Sequence, residues 1–168
     1  CRDMLQTPQF IQGLVQSGSA TALFLPAAIF VIAAFLSFST GTAWGTFGIL
    51  IPIVVAVFEG TNHELMLISI SACMAGAVCG DHCSPISDTT IMASAGAQCD
   101  HMNHVSTQLP YAVLTAVVSC AAYVLAGFVQ SAWIALPIAI VSIVLIILLL
   151  RFVQASNRKR EEELKEVH

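Results

Sequence analysis

Residues 80–90 read GDHCSPISDTT, and this polar stretch decides how the rest of the chain is organised. It lies between apolar segments that are long enough to enter a bilayer. Pro85 has no amide hydrogen and disfavours helical backbone at Ser84, so a helix that reaches this point is predicted to break and to leave backbone carbonyls free. Ionisable side chains are costly inside a membrane, and irregular backbone survives there only where protein or water surrounds it. The stretch is therefore predicted to be a transport or ion site.

The composition indicates an integral membrane protein. Hydrophobic residues make up 57% of the 168 residues and charged residues 10%, with a mean hydropathy of +0.85. Such a balance lies well outside that of soluble domains. Five of the six Lys and Arg residues lie at or after Arg151. Basic residues beside a membrane segment stay on the cytoplasmic side, so the charged tail, residues 151–168, is predicted to be cytoplasmic. No nucleic-acid partner is expected.

Residues 20–58 are predicted to form a re-entrant hairpin. Ala20–Phe38 is apolar enough to cross a membrane, but the second apolar run, Ile49–Phe58, is too short to span alone. Between them lies a tip rich in glycine and hydroxyl groups, with its turn near Gly41. Two complete helices joined by a loop outside the bilayer remain an alternative, since length alone does not exclude them.

Residues 64–97 are predicted to be one discontinuous crossing. Its first half, Leu65–Cys79, carries small residues at Ala72, Gly76 and Gly80, a stripe that lets another helix approach closely. The helix is predicted to break at Gly80 and to resume at Thr89–Ala97. The remaining predictions are an interfacial lead-in over 1–18, an aqueous loop over 98–108, plain membrane helices over 109–129 and 132–150, and the tail over 151–168. Residues 19–150 thus form the membrane domain.

The hairpin tip and the broken helix are predicted to meet at a cation site. Hard cations such as Na⁺ prefer oxygen ligands, and a carboxylate in a low-dielectric site binds a proton more readily than one in water. Asp88 is predicted to carry the ion, with Ser87 as a further metal ligand and Asp81 as a coordinating or gating partner. Asp88 as a simple helix N-cap is the alternative. The other predicted ligands are hydroxyl groups: Ser39, Thr40, Thr42, Ser84, Thr89 and Thr90.

A zinc site is the competing interpretation. The candidate zinc ligands are Cys79, His82, Cys83, Cys99, His101 and His104. Their spacings fit no compact zinc module, and the His63-Glu64 pair lacks the second histidine of an H-E-x-x-H motif. His101 and His104 are assigned to the cytoplasmic loop, either as plain loop residues or as part of a pH-responsive entrance, because imidazole titrates near neutrality.

Two stretches carry a resemblance to a known family. FSTGTAWGTFGILIPI at 38–53 and GDHCSPISDTTIMASAGAQCDHMNHVSTQLPYA at 80–112 resemble the C-terminal half of NhaC-type sodium/proton antiporters of the ion-transporter superfamily. The resemblance implies an all-α membrane fold of two inverted repeats. This chain would supply one half: a re-entrant hairpin, a discontinuous helix and two further membrane helices. The other half would come from a missing N-terminal part or, as a less favoured source, from a second copy of the chain.

The function predicted first is a secondary antiporter that exchanges Na⁺ for H⁺. A Na⁺- or H⁺-coupled antiporter of a carboxylate or amino acid is the alternative, and a zinc-binding membrane enzyme or structural zinc module is favoured less. No enzymatic activity and no cofactor are expected beyond the transported ions. The predicted partners are membrane lipid, Na⁺, H⁺ and the missing half, with a homodimer as a further candidate. The predicted location is the plasma membrane, or inner membrane in a cell with two, spanned several times.

Overall fold

The computed structural model describes residues 19–58, 63–129, 137, 140–144 and 151, and the chain divides into two compact units, 1–131 and 132–168. The described residues lie in helices or in short connections between them, which confirms the all-α prediction. By length and composition, three of the described helices can cross a membrane. The predicted lead-in, most of the predicted helix over 132–150 and the tail after Arg151 lie outside the described residues.

Helices α1, Ser19–Thr40, and α2, Ala43–Phe58, form an antiparallel pair joined at Gly41 and Thr42. Gly41 has a φ of 68°, and its amide donates to the carbonyl of Ser37 at 2.8 Å, so it ends α1 in the left-handed conformation that glycine adopts without strain. At 16 residues, α2 is about 24 Å long, shorter than the hydrocarbon core of a bilayer at about 30 Å. The re-entry of this hairpin into the same side of the membrane stays a prediction.

Helix α3, His63–Cys83, packs against α1 through backbone contacts at two glycines. A β-carbon placed on Gly76 would lie 2.3 Å from the carbonyl oxygen of Phe30, closer than any real side chain allows. The small-residue stripe of α3 thus brings the two helices together, as its spacing predicts. The helix was predicted to break at Gly80 but continues to Cys83. Gly80 instead allows the backbone of α1 to pack closely against α3.

Helix α4, Asp88–Gly96, follows after the four-residue break Ser84–Ser87, and helix α5, His101–Val129, follows α4. Helix α5 begins at His101 instead of residue 109, and most of the predicted aqueous loop is therefore helical. The reason is a cap: the Asp100 Oδ1 accepts from the amide of Asn103 at 2.9 Å. Gly127 is the one buried residue of α5, so most of its apolar surface is left for lipid or further helices.

Candidate ion-binding site

The break between α3 and α4 is a tight turn that ends in a helix cap. The amide of Ser84 donates to the carbonyl of Asp81 at 3.1 Å, and the amide of Ser87 donates to the carbonyl of Ser84 at 3.3 Å. Ser87 is extended, with φ −70° and ψ 137°, and its Oγ accepts from the amide of Thr89 at 3.2 Å. Ser87 is therefore the N-cap of α4. Asp88, considered for that role from the sequence, is the first helical residue, and its Oδ1 accepts from the same amide at 2.8 Å.

The turn folds two hydroxyl groups back onto the carboxyl group of Asp81. Ser87 Oγ lies 2.8 Å from Asp81 Oδ1, and Thr89 Oγ1 lies 3.0 Å from Asp81 Oδ2. The two hydroxyl oxygens lie 2.7 Å from each other. The carboxyl group of one half-helix is thus bound by the cap and first turn of the next.

Burial separates the two carboxyl groups. Asp81 is only 4% exposed, whereas Asp88 is exposed to solvent. Ser84 and Ser87 are completely buried and Thr90 nearly so, but Thr89 is exposed. The sequence predicted Asp88 as the ion carrier and Asp81 as its partner. In the structure Asp81, rather than Asp88, has the buried, hydroxyl-lined position.

The hairpin tip reaches the break through backbone rather than through hydroxyl groups. A β-carbon on Gly41 would lie 3.0 Å from the carbonyl oxygen of Ile86, so the turn of the hairpin and the turn of the broken helix are in contact. The hydroxyls of Ser39 and Thr40 are exposed and donate to carbonyls of their own helix, those of Phe35 and Leu36, each at 2.9 Å. The predicted meeting of these two hydroxyls with the break is not what the structure shows. Thr42, also predicted as a ligand, is half-buried next to Gly41 and accepts through its carbonyl from Thr46.

Ser37 is a buried hydroxyl that the sequence analysis did not assign to the site. It has no exposed surface, and its Oγ has no hydrogen-bond partner. Ala33 on α1 packs with Ala77 on α3, and Ser37 and Asp81 each lie one turn further along these helices. This register brings Ser37 to the Asp81 end of α3. The sequence signal is the four-residue recurrence of small residues Ala33, Ser37 and Gly41, which matches the stripe on α3.

His101, at the start of α5, is bound at both ring nitrogens. Its Nε2 lies 2.7 Å from the carbonyl oxygen of Pro85, and its Nδ1 lies 3.0 Å from the Oγ of Ser94. The break was predicted to leave its carbonyls free for a ligand, but the Pro85 carbonyl is taken by this histidine. His104, one turn further along α5, is half-buried.

No group of three or more His, Cys, Asp or Glu side chains in the described part of the chain is arranged to hold a metal ion. The five described cysteines, Cys73, Cys79, Cys83, Cys99 and Cys120, are free thiols. The zinc interpretation therefore gains no support from these residues.

Apolar helices, one of them interrupted around a buried carboxyl group, define a membrane protein built like an ion transporter. The sequence profile of the Na⁺/H⁺ antiporter family matches residues 1–128, and the chain belongs to that family. The resemblance to NhaC-type antiporters that residues 38–53 and 80–112 carry is confirmed at this level.

The curated relatives include proteins of differing cargo. The chain is 49% identical over 143 residues to an uncharacterised protein of Haemophilus influenzae, a match that covers 85% of the chain and 27% of the relative. It is 34% identical over 107 residues to the malate-2H⁺/Na⁺-lactate antiporter of Bacillus subtilis, covering 64% of the chain and 22% of the relative. It is 36% identical over 109 residues to the arginine/ornithine antiporter of Halobacterium salinarum, covering 62% and 22%.

The chain thus spans about a quarter of the length of the curated relatives it matches. No solved structure matches it.

Proposed function

We propose that this chain carries the ion site of a secondary antiporter that exchanges Na⁺ for H⁺, and that Asp81 is the carboxyl group on which the two ions compete. The family and the buried carboxyl group support the proposal. No Lys or Arg occurs between Arg2 and Arg151, so no such side chain of the membrane segments neutralises Asp81. Since a buried charge is costly unless it is paired, we infer that a proton or a metal cation pairs with it.

A count of hydrogens is the observation that carries the proposal. Three oxygen–oxygen contacts join Asp81, Ser87 and Thr89 at 2.7–3.0 Å. An ionised Asp81 leaves only two hydroxyl hydrogens for these three contacts, because each hydroxyl has a single hydrogen to donate. A protonated Asp81 supplies the third hydrogen and closes a ring in which each group donates once and accepts once within the ring; Ser87 Oγ accepts in addition from the Thr89 amide. The geometry therefore fits the proton-loaded site.

Loss of that proton leaves a site that favours the binding of a cation. The ring then has a negative carboxylate and a 2.7 Å contact between two hydroxyl oxygens with no hydrogen left for it. Both changes favour a hard cation with oxygen ligands, as Na⁺ is. The proton and the cation thus exclude each other at one carboxylate, which is the least that exchange requires. We assign Ser87 and Thr89 as the hydroxyl ligands and Ser84 and Thr90 as buried polar neighbours; Asp88 serves as the exposed entrance to the site.

Antiport of an organic solute is the second candidate. The specific observation in its favour is that two of the relatives are named as antiporters of malate and lactate and of arginine and ornithine. The lack of Lys and Arg between Arg2 and Arg151 speaks for a simple cation, although backbone amides can also bind a carboxylate. We place the protein in the cell membrane with its C-terminus in the cytoplasm and with further helices completing the site.

The test is vesicle pH on addition of Na⁺, Li⁺ or K⁺, with the complete protein reconstituted. The proposal expects Na⁺ to move protons in the wild type, Asp81→Asn to abolish the signal and Asp88→Asn to retain it. The reverse pattern would return the carrier role to Asp88. A wild type that moves protons only with malate, lactate, arginine or ornithine present would establish the second candidate instead.

A further inference from the structure

The Pro85 carbonyl lacks the partner that an unbroken helix would give it. In a continuous helix it would accept from the amide of Thr89, four residues later. That amide instead donates to Ser87 Oγ and Asp88 Oδ1, at 3.2 and 2.8 Å. A buried carbonyl without a partner costs about 1–3 kcal/mol, and Pro85 is half-buried, so a partner for its carbonyl stabilises the shape of the break.

The imidazole of His101 provides that partner. A carbonyl oxygen only accepts, so the 2.7 Å contact between His101 Nε2 and the Pro85 oxygen fixes the hydrogen on Nε2. His101 is the first residue of α5, sixteen positions after Pro85 in the chain. The contact therefore ties the break to the start of a different membrane helix.

The second ring nitrogen ties the short half-helix into the same unit. His101 Nδ1 lies 3.0 Å from Ser94 Oγ, and Ser94 is only 3% exposed within α4. Ser94 Oγ also lies 2.9 Å from the carbonyl oxygen of Ile91. With a neutral ring the serine donates to Nδ1, and with a doubly protonated ring Nδ1 donates to the serine, which then donates to Ile91. The bond to Pro85 persists in both arrangements.

From this geometry we propose that His101 is a positioning residue of the ion site. It acts through the Pro85 carbonyl, which lies two residues before Ser87, and through Ser94 on α4. Together these contacts hold the cap and first turn of α4 at the distance at which Ser87 and Thr89 reach Asp81. The proposal rests on the ion site proposed above, but the contact itself can be measured without transport.

Two amide side chains separate the contacts of the imidazole. The side-chain nitrogen of Gln falls close to the position of Nε2 and that of Asn close to the position of Nδ1, and both amides are neutral donors. His101→Gln therefore keeps the bond to Pro85. His101→Asn keeps only a polar group near Ser94, and His101→Ala keeps neither contact. His104→Ala, one turn along the same helix, is the matched control.

The first experiment measures Na⁺-dependent proton movement in vesicles for the complete protein and these four variants. We expect His101→Ala and His101→Asn to raise the half-saturating Na⁺ concentration roughly five- to tenfold, the loss of about one hydrogen bond, with a smaller effect on the maximal rate. His101→Gln and His104→Ala should stay within about twofold of the wild type. Equal loss in Gln, Asn and Ala, or no loss in Ala, would overturn the positioning role.

The second experiment follows the contact by isotope-edited infrared spectroscopy, with ¹³C in the proline carbonyls of protein in detergent. A hydrogen-bonded carbonyl absorbs at lower frequency than a free one, so one proline band should shift upward in His101→Ala and His101→Asn and return in His101→Gln. If the wild type moved no protons while this pattern held, the proposed function would fail and the positioning of the break would stand. An unchanged band in His101→Ala would refute the contact, whatever the transport result.

Discussion

A β-carbon placed on Gly80 would lie 2.0 Å from the carbonyl oxygen of Ala34, so α1 and α3 are in backbone contact one residue before Asp81. The same position would be 2.9 Å from the amide nitrogen of Phe38. The carboxyl group of the site thus directly follows a point of close backbone contact between α3 and α1.

Gly80→Ala should therefore force α1 and α3 apart. Overpacking of this kind costs about 1–3 kcal/mol, more than the gain of about 1 kcal/mol in helix propensity. We expect a lower free energy of unfolding, measured by denaturant titration in mixed micelles, together with reduced transport. Gly48→Ala on α2 is the control: apart from its chain neighbours and the nearby backbone of its own helix, no atom lies within 4 Å of the added carbon, and the change should be neutral or stabilising. A Gly80→Ala protein as stable as the control would contradict this packing.

The contact between the hairpin tip and the break can be tested at Gly41. Its φ of 68° costs an L-residue about 1–2 kcal/mol, and an added carbon would also meet Ile86 at 3.0 Å. Gly41→Ala suffers both effects, whereas Gly41→Asn suffers chiefly the second, because Asn tolerates left-handed backbone. We expect Asn to recover part of the lost stability but little of the lost transport. Full recovery of transport by Asn would mean that the approach to Ile86 does not matter for the site.

The hydrogen-bonded ring predicts a specific need for the Thr89 hydroxyl. Thr89→Val keeps the shape of the exposed side chain but removes the hydrogen that closes the ring, and Thr89→Ser restores it. We expect Val to lower Na⁺-dependent transport roughly tenfold, with a change in unfolding free energy of under about 1 kcal/mol. Ser should retain most of the activity. Thr89→Val with wild-type transport would rule out a functional ring.

Ser37 and Ser69 offer a matched pair of buried hydroxyls. Both are completely buried without a hydrogen-bond partner, but Ser69 lies twelve residues before Asp81 on α3, about 18 Å away along the helix. Ala at either position removes an unsatisfied polar group and should leave stability unchanged or improved. Because Ser37 lies beside the Asp81 end of α3, we propose its unpartnered oxygen as a further Na⁺ ligand, so Ser37→Ala, unlike Ser69→Ala, is expected to weaken Na⁺ binding roughly five- to tenfold. Equal transport in the two variants would remove Ser37 from the site.

The sequence is informative where one physical effect dominates. Pro85 and the hydroxyl-rich residues after it predict a broken helix, and the spacing of Ala72, Gly76 and Gly80 predicts close helix packing. The length and hydropathy of the segments predict an all-α membrane fold, which the structure and the family match confirm.

Other structural features depend on competing physical effects, and a single sequence does not show which effect is larger. Gly80 can break a helix or pack one, and only the neighbouring backbone of Ala34 decides between them. The polar run after Asp100 suggests a loop, but the cap formed by Asp100 extends the helix through it. The burial of Asp81 rather than Asp88 has the same origin, because burial of a carboxyl group depends on how the turn folds back.

The ring of Asp81, Ser87 and Thr89 joins a solvent-exposed threonine to a carboxyl group that solvent barely reaches. In the proposed proton-loaded state, its three hydrogens can all point clockwise or all point anticlockwise, with every oxygen in the same place. Reversal moves the acidic hydrogen from the carboxyl oxygen beside the exposed Thr89 to the carboxyl oxygen beside the buried Ser87. The proposed site can therefore pass a hydrogen between its two carboxyl oxygens with every heavy atom of the ring in place.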